Sequence, residues 1–151
     1  MMMSERILVV DDEAGSARII ADAIAWLGFD VVTASNGREG LTVLGTMPFD
    51  GILLDLEMPV MNGWTMLDEL RWQGYDVPVI VMSQEANQKK LRDLLHEGAQ
   101  DFLVKPFNPY LLLQKSLRHF SYRTSLEKTP VREKNGAGQA GLYQAKRILV
   151  A

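Results

Sequence analysis

The sequence predicts an α/β fold, with five parallel strands and five helices covering both faces of one sheet. Three observations predict it. Five short apolar runs recur between Ile7 and Val104. The first is continuous rather than alternating, as expected of a strand buried on both faces. Stretches of helical length, with apolar residues at helical spacing, separate the runs.

The elements follow in order. Ile7–Val10, after Arg6, reads as the first strand. Ala17, Ile20, Ala21, Ile24 and Leu27 then mark a helix, and Gly28 is a suitable stop. Val31–Ala34 is the second strand. Gly40, Leu41 and Leu44 face inward from a shorter helix after Asn36. Ile52–Leu54 is the third strand. Asn62-Gly63 opens a helix carrying Trp64, Leu67, Leu70 and Arg71. Val79–Met82 is the fourth strand, and Leu91, Leu94 and Leu95 mark a helix ended by Gly98. Phe102–Val104 is the fifth strand. Tyr110, Leu113 and Leu117 mark the last helix, with Asn108 as N-cap and Pro109 at its first position. A (βα)5 alternation predicts a doubly wound parallel sheet with right-handed crossovers. Five strands suit the flavodoxin-like order 2-1-3-4-5. Ligands then bind beyond the carboxyl ends of the strands, at the switch point.

Composition narrows the function classes. The 151 residues are 47% hydrophobic and 23% charged, ordinary for a globular chain. No apolar run approaches the ~20 residues of a membrane helix. Met1–Arg6 precedes no apolar core of signal-peptide length. With no cysteine, disulfides, zinc–thiolate sites and thiol catalysis are excluded. A cytoplasmic location is the simplest expectation. Residues 1–120 hold 10 Lys and Arg against 17 Asp and Glu, and residues 121–151 hold 6 against 2, giving −7 and +4. An acidic body argues against direct nucleic-acid binding. Residues 5–122 form the expected domain, and 123–151 read as a basic, flexible linker or tail. Within the tail, Lys146-Arg-Ile-Leu-Val-Ala151 echoes Glu5-Arg-Ile-Leu-Val-Val10. Chance, an edge-docking strand and the opening strand of a truncated further domain all remain open for it.

The acids fall where chemistry is expected. Asp11 and Asp12 follow the first strand, and Asp55 follows the third. Those strands are neighbours at the switch point, so three carboxylates converge. A single Asp at a strand end is commonly a cap or a turn residue. Three together are harder to explain so. Two charges ~4 Å apart repel by about 4 kcal/mol at the effective dielectric of a protein surface. Such a cluster holds a proton or binds a cation. Oxygen ligands without Cys or nearby His favour Mg²⁺. Lys105 follows the fifth strand, and Pro106 restricts it to an extended conformation. Ser83 follows the fourth strand. Plain alternatives are a solvated lysine and a helix-capping serine. As a set, these groups suit phosphoryl transfer, which relies on positioning and charge neutralisation.

Four motifs resemble those of response-regulator receiver domains, the superfamily of chemotaxis-regulator-like proteins. They are Val9-Val-Asp-Asp-Glu13, Asp55-Leu-Glu-Met-Pro-Val-Met-Asn-Gly63, Val81-Met-Ser83 and Asp101-Phe-Leu-Val-Lys-Pro-Phe107. The resemblance runs from about Arg6 to Tyr122. It implies a two-component signalling switch in which Asp55 accepts a phosphoryl group from a histidine kinase or phosphotransfer protein. It implies Asp12 as a direct Mg²⁺ ligand, Asp11 as a ligand through water and the Glu57 backbone carbonyl as a third. Lys105 corresponds to the lysine that pairs with Asp55 and then with the phosphoryl group. Ser83 corresponds to the switch hydroxyl, and Phe102 to the aromatic that moves with it. Lys105–Pro106 falls where the family has a cis peptide.

One departure is Gln84, where the family usually has a small residue. Glu57 and Glu85 flank the same opening and add negative charge, and these three residues are expected to modulate phosphoryl lifetime. No enzyme activity beyond intrinsic phosphotransfer and autodephosphorylation is expected. The output is either a separate protein target or a missing output domain, and homodimerisation through the fourth-helix, fifth-strand and fifth-helix face fits the family. Two other readings compete. A dehalogenase-type phosphatase would need a second Asp and a Thr after the nucleophile, where Asp55-Leu-Glu-Met-Pro stands. An interaction module independent of phosphorylation would have no need of the complete acid, serine and lysine set.

Overall fold

The computed structural model describes residues 4–121. The basic tail and its Arg-Ile-Leu-Val echo lie outside the described residues. The elements are β1 (Arg6–Val10), α1 (Ala14–Trp26), β2 (Asp30–Ala34), α2 (Gly37–Leu44) and β3 (Gly51–Asp55), followed by α3 (Gly63–Trp72), β4 (Val79–Ser83), α4 (Gln88–His96), β5 (Asp101–Val104) and α5 (Pro109–Phe120). Every strand pair is parallel, and the order is β2-β1-β3-β4-β5. This is the flavodoxin-like doubly wound sheet that the alternation predicts.

Burial follows from the pleat, since successive side chains point to opposite faces. Leu8, Val10, Ile52, Leu54, Val79 and Val81 pack on one side, against Met66, Leu67 and Leu70 of α3 and Leu91 and Leu94 of α4. Ile7, Val9, Leu53, Ile80, Met82 and Leu103 pack on the other, against Ile20 and Ile24 of α1 and Leu112 and Phe120 of α5. The whole of β3 and β4 is buried. Each fully buried aliphatic side chain contributes roughly 1.5–3 kcal/mol. These central strands therefore form a rigid base for whatever projects from their ends.

Local chemistry sets the helix ends. Asn36, Asn62, Asn87 and Asn108 cap α2, α3, α4 and α5 through side-chain oxygens that accept from backbone N–H groups. Gly28 ends α1 at φ +102°, a conformation that strains any residue with a β-carbon. Among the described residues no helix is long and apolar enough to cross a membrane.

Two helix faces differ from the sequence reading. On α5 the buried residues are Leu112, Ser116 and Phe120, whereas Tyr110 is 72% exposed and Leu117 45%. Leu111, Leu112 and Leu113 are consecutive, so their apolar pattern fits more than one face. Close packing chose the face. The Phe120 ring lies against Gly51 on β3, where a β-carbon would overlap it. On α4, Leu95 lies largely outside while Leu91 and Leu94 face the core.

Candidate functional site

The parallel register carries four strand ends to one edge of the sheet. Val10 pairs with Leu54, Asp55 with Met82 and Ser83 with Val104. Asp11, Asp55, Ser83 and Lys105 are thereby neighbours. The Lys105 N–H donates to the Ser83 carbonyl at 2.7 Å, which ties the last two strands together beside the site. The Lys105–Pro106 peptide is cis.

Carboxylate oxygens of Asp11, Asp12 and Asp55 lie within 4.8 Å of one another. Asp11 and Asp55 are buried, and Asp12 is exposed at the mouth. Asp11 is held in place, its oxygens accepting from the Glu13 N–H at 3.0 Å and the Ser16 hydroxyl at 2.9 Å. Asp55 accepts from the Glu57 N–H at 3.1 Å. Lys105 Nζ approaches Asp55 at 3.3 Å and Asp11 at 3.8 Å. One lysine faces two buried carboxylates, so the negative charge is not fully balanced. Burial pushes the Asp55 carboxyl up from its ordinary 3.8 to about 6, against the attraction of Lys105 and the Glu57 N–H and with the help of Asp11. A hard divalent cation would relieve this repulsion, and an all-oxygen donor set suits Mg²⁺. The chain therefore carries an acidic pocket fit for that ion.

Neither Ser83 nor Asp55 caps a helix. The α4 cap is Asn87, and the α3 cap is Asn62. The Ser83 hydroxyl is buried. It donates to Glu57 Oε2 at 2.7 Å and accepts from the Glu85 N–H at 2.9 Å. Glu57 Oε1 accepts from the Gln84 N–H at 3.3 Å. The Gln84 side chain is exposed beside this contact. Phe102 pairs in register with Val81 and is half-buried. Lys115 Nζ lies 5.5 Å from its ring centroid and donates to its carbonyl at 3.0 Å. Lys115 is itself anchored to Asp101 at 2.6 Å, and His119 meets the other Asp101 oxygen at 3.0 Å.

Sequence reasoning did not find Ser16 or Lys115, and it placed Glu57 at the opening by its charge without finding its hydrogen bond with Ser83. Ser16 lies five residues beyond Asp11, within reach of an acid preceding a helix. The Asp55–Met82 register could have flagged Glu57, because it sets residue 57 beside the end of β4.

A flavodoxin-like sheet with this acid, serine and lysine edge is the arrangement of a known domain family. The chain belongs to it: residues 7–116 match the response regulator receiver domain family of two-component systems. A probable transcriptional regulator ycf27 of Porphyridium aerugineum is 37% identical over 108 residues, 72% of this chain and 45% of that protein. The transcriptional regulatory protein PcoR of Escherichia coli is 33% identical over 104 residues, 69% of this chain and 46% of that protein. The chain thus spans about half the length of these curated relatives. Among solved structures, the chemotaxis response regulator CheY4 of Vibrio cholerae aligns with TM-score 0.72 at 33% identity, over 77% of this chain and 98% of that one. The Francisella response regulator 1452 receiver domain aligns with TM-score 0.76 at 29% identity, over 80% and 99%. Such domains are signalling proteins rather than classical enzymes.

Proposed function

We propose that this chain is a phosphorylation-dependent switch that accepts a phosphoryl group on Asp55 from a histidine kinase or histidine phosphotransfer protein. A carboxylate oxygen of Asp55 attacks the donor phosphorus. The bond from phosphorus to the donor imidazole breaks as the aspartyl phosphate forms, and the leaving nitrogen keeps the electron pair. Lys105, 3.3 Å from Asp55, supplies positive charge to the transferred group. The residues that would hold the metal are Asp11, Asp12, Asp55 and the Glu57 backbone carbonyl. Bound there, Mg²⁺ would neutralise charge on the transferring oxygens. Ser83 is the switch hydroxyl and Phe102 the aromatic that repacks with it. Gln84, Glu57 and Glu85 modulate phosphoryl lifetime.

Phosphorylation adds ~1.5–2 negative charges and strong acceptor oxygens. Answering them draws the β4–α4 turn toward Asp55. Phe102 then exchanges its hold on Lys115 for the space vacated, which alters the α4–β5–α5 face. That face is the proposed surface for a downstream target or a homodimer. In this reading residues 5–122 form the switch, and 123–151 form a linker toward an output domain or the beginning of one. The location is the cytoplasm.

The observation that supports this most is a buried Asp55, its proton affinity raised, set among the Asp11 and Asp12 carboxylates and the Lys105 ammonium. Incubation with acetyl phosphate and Mg²⁺ should add one phosphoryl group to the intact mass. Chelation with EDTA should abolish the gain. A gain that persists in EDTA, or that never appears, refutes the reading.

A further inference from the structure

The side chain of Glu57 engages the two neutral donors on the β4 side of the pocket. Its Oε2 takes the Ser83 hydroxyl at 2.7 Å, and its Oε1 takes the Gln84 N–H at 3.3 Å. A serine hydroxyl has a single proton to donate. While Glu57 holds it, no other anion can receive it. Ser83 is also fastened from the other side, by the Glu85 N–H donating to its oxygen at 2.9 Å. Residues 83–85 are therefore fixed around a carboxylate two residues beyond Asp55.

An anion on Asp55 would need the same hydroxyl and the same backbone N–H. Two acceptors cannot share one O–H, and two anions brought this close repel. We propose that Glu57 is an intramolecular competitor of the phosphoryl group. It is a positioning residue whose carboxylate holds Ser83 and Gln84 in the unphosphorylated arrangement and must leave before the switch can move. This rests on Asp55 being the acceptor, as proposed above. It adds that the resting state is held by a specific hydrogen-bonded anion rather than by the absence of a phosphoryl group. Glu57 thereby sets how readily the domain activates, a role distinct from its backbone carbonyl at the metal.

The test uses beryllofluoride, a non-covalent phosphoryl mimic, read by tryptophan fluorescence in the whole chain. Mg²⁺ is first titrated alone on each variant, so that every beryllofluoride titration runs at saturating metal. Glu57→Gln removes the charge and one acceptor while keeping the size. It should bind beryllofluoride about three- to tenfold more tightly than wild type, the effect of losing a charge-assisted competitor. The Gln84 amide resonance should shift in the free protein. The gain should fall below about twofold in a Ser83→Ala background, because the contested hydroxyl is gone. Simple repulsion by Glu57 predicts an equal gain in both backgrounds, and that result overturns the proposal. So does unchanged or weaker binding by Glu57→Gln. Should Glu57→Gln fold poorly, Glu57→Ala takes its place with the same expected signs. If wild type itself fails to bind beryllofluoride with Mg²⁺, the switch reading falls as well. If wild type binds and only the variants disagree, the competitor alone is refuted.

Discussion

Replacing Asp55 with Asn should make the metal-free protein more stable, although it removes the central residue of the site. The Asp55 carboxyl moves from an ordinary 3.8 to about 6 on folding, chiefly because it is buried. Between those values the folded protein binds more protons than the unfolded chain. Stability is therefore lost as pH rises from about 4 to 6, and the deficit is constant above. A tenfold change in proton affinity is worth about 1.4 kcal/mol, so the ionised carboxylate costs the fold about 3 kcal/mol at pH 7. Asn retains an oxygen that can accept from the Glu57 N–H and carries no charge. Urea denaturation in EDTA should thus show Asp55→Asn about 2–3 kcal/mol more stable than wild type at pH 7. The gap should narrow to roughly half that at pH 5 and to well under about 1 kcal/mol at pH 4. Saturating Mg²⁺ should narrow it at pH 7 as well, because the ion stabilises wild type and finds fewer ligands in the variant. An Asn variant no more stable than wild type at pH 7, or a gap that does not change with pH, would refute this account of the site.

Three further changes test the scaffold. Gly51→Ala should lower the thermal midpoint and cost about 1–3 kcal/mol, because its β-carbon overlaps the Phe120 ring; an unchanged midpoint would contradict the packing of α5. Ser116→Ala should stabilise the fold by about 1 kcal/mol in urea, since the buried Ser116 hydroxyl has no partner among the described residues. Val60 adopts φ +67° in the loop beyond Asp55 with its side chain exposed. Val60→Gly should therefore add roughly 1 kcal/mol of stability, and a loss would show that the strain has been overstated.

Much of the architecture could be read from the chain because parallel strands have a simple signature. Continuous apolar runs located β1 to β5 within a residue or so, and the residues after each run became the site edge. Asp11, Asp55, Ser83 and Lys105 were legible for that reason, since topology alone brings strand ends together. The inner face of α5 was not. Three consecutive leucines give no unique period, and the buried stripe includes a serine, which apolar spacing overlooks. Glu57 was read for its backbone and its charge. Its side-chain contact with Ser83 depends on rotamers and on the turn after β4, which no spacing specifies. The Lys115–Phe102 contact was hidden similarly, because it joins β5 to a lysine on α5 that looks like any solvated helix charge.

The central claim is that the buried aspartate at the end of β3 is the atom donor to phosphorus. Borohydride reduces an aspartyl phosphate to homoserine, which peptide mass mapping can locate. After reaction with acetyl phosphate and Mg²⁺, reduction should convert position 55 and no other, and Asp55→Asn should give no product. Homoserine at another position, or undiminished phosphorylation of the Asn variant, would contradict it.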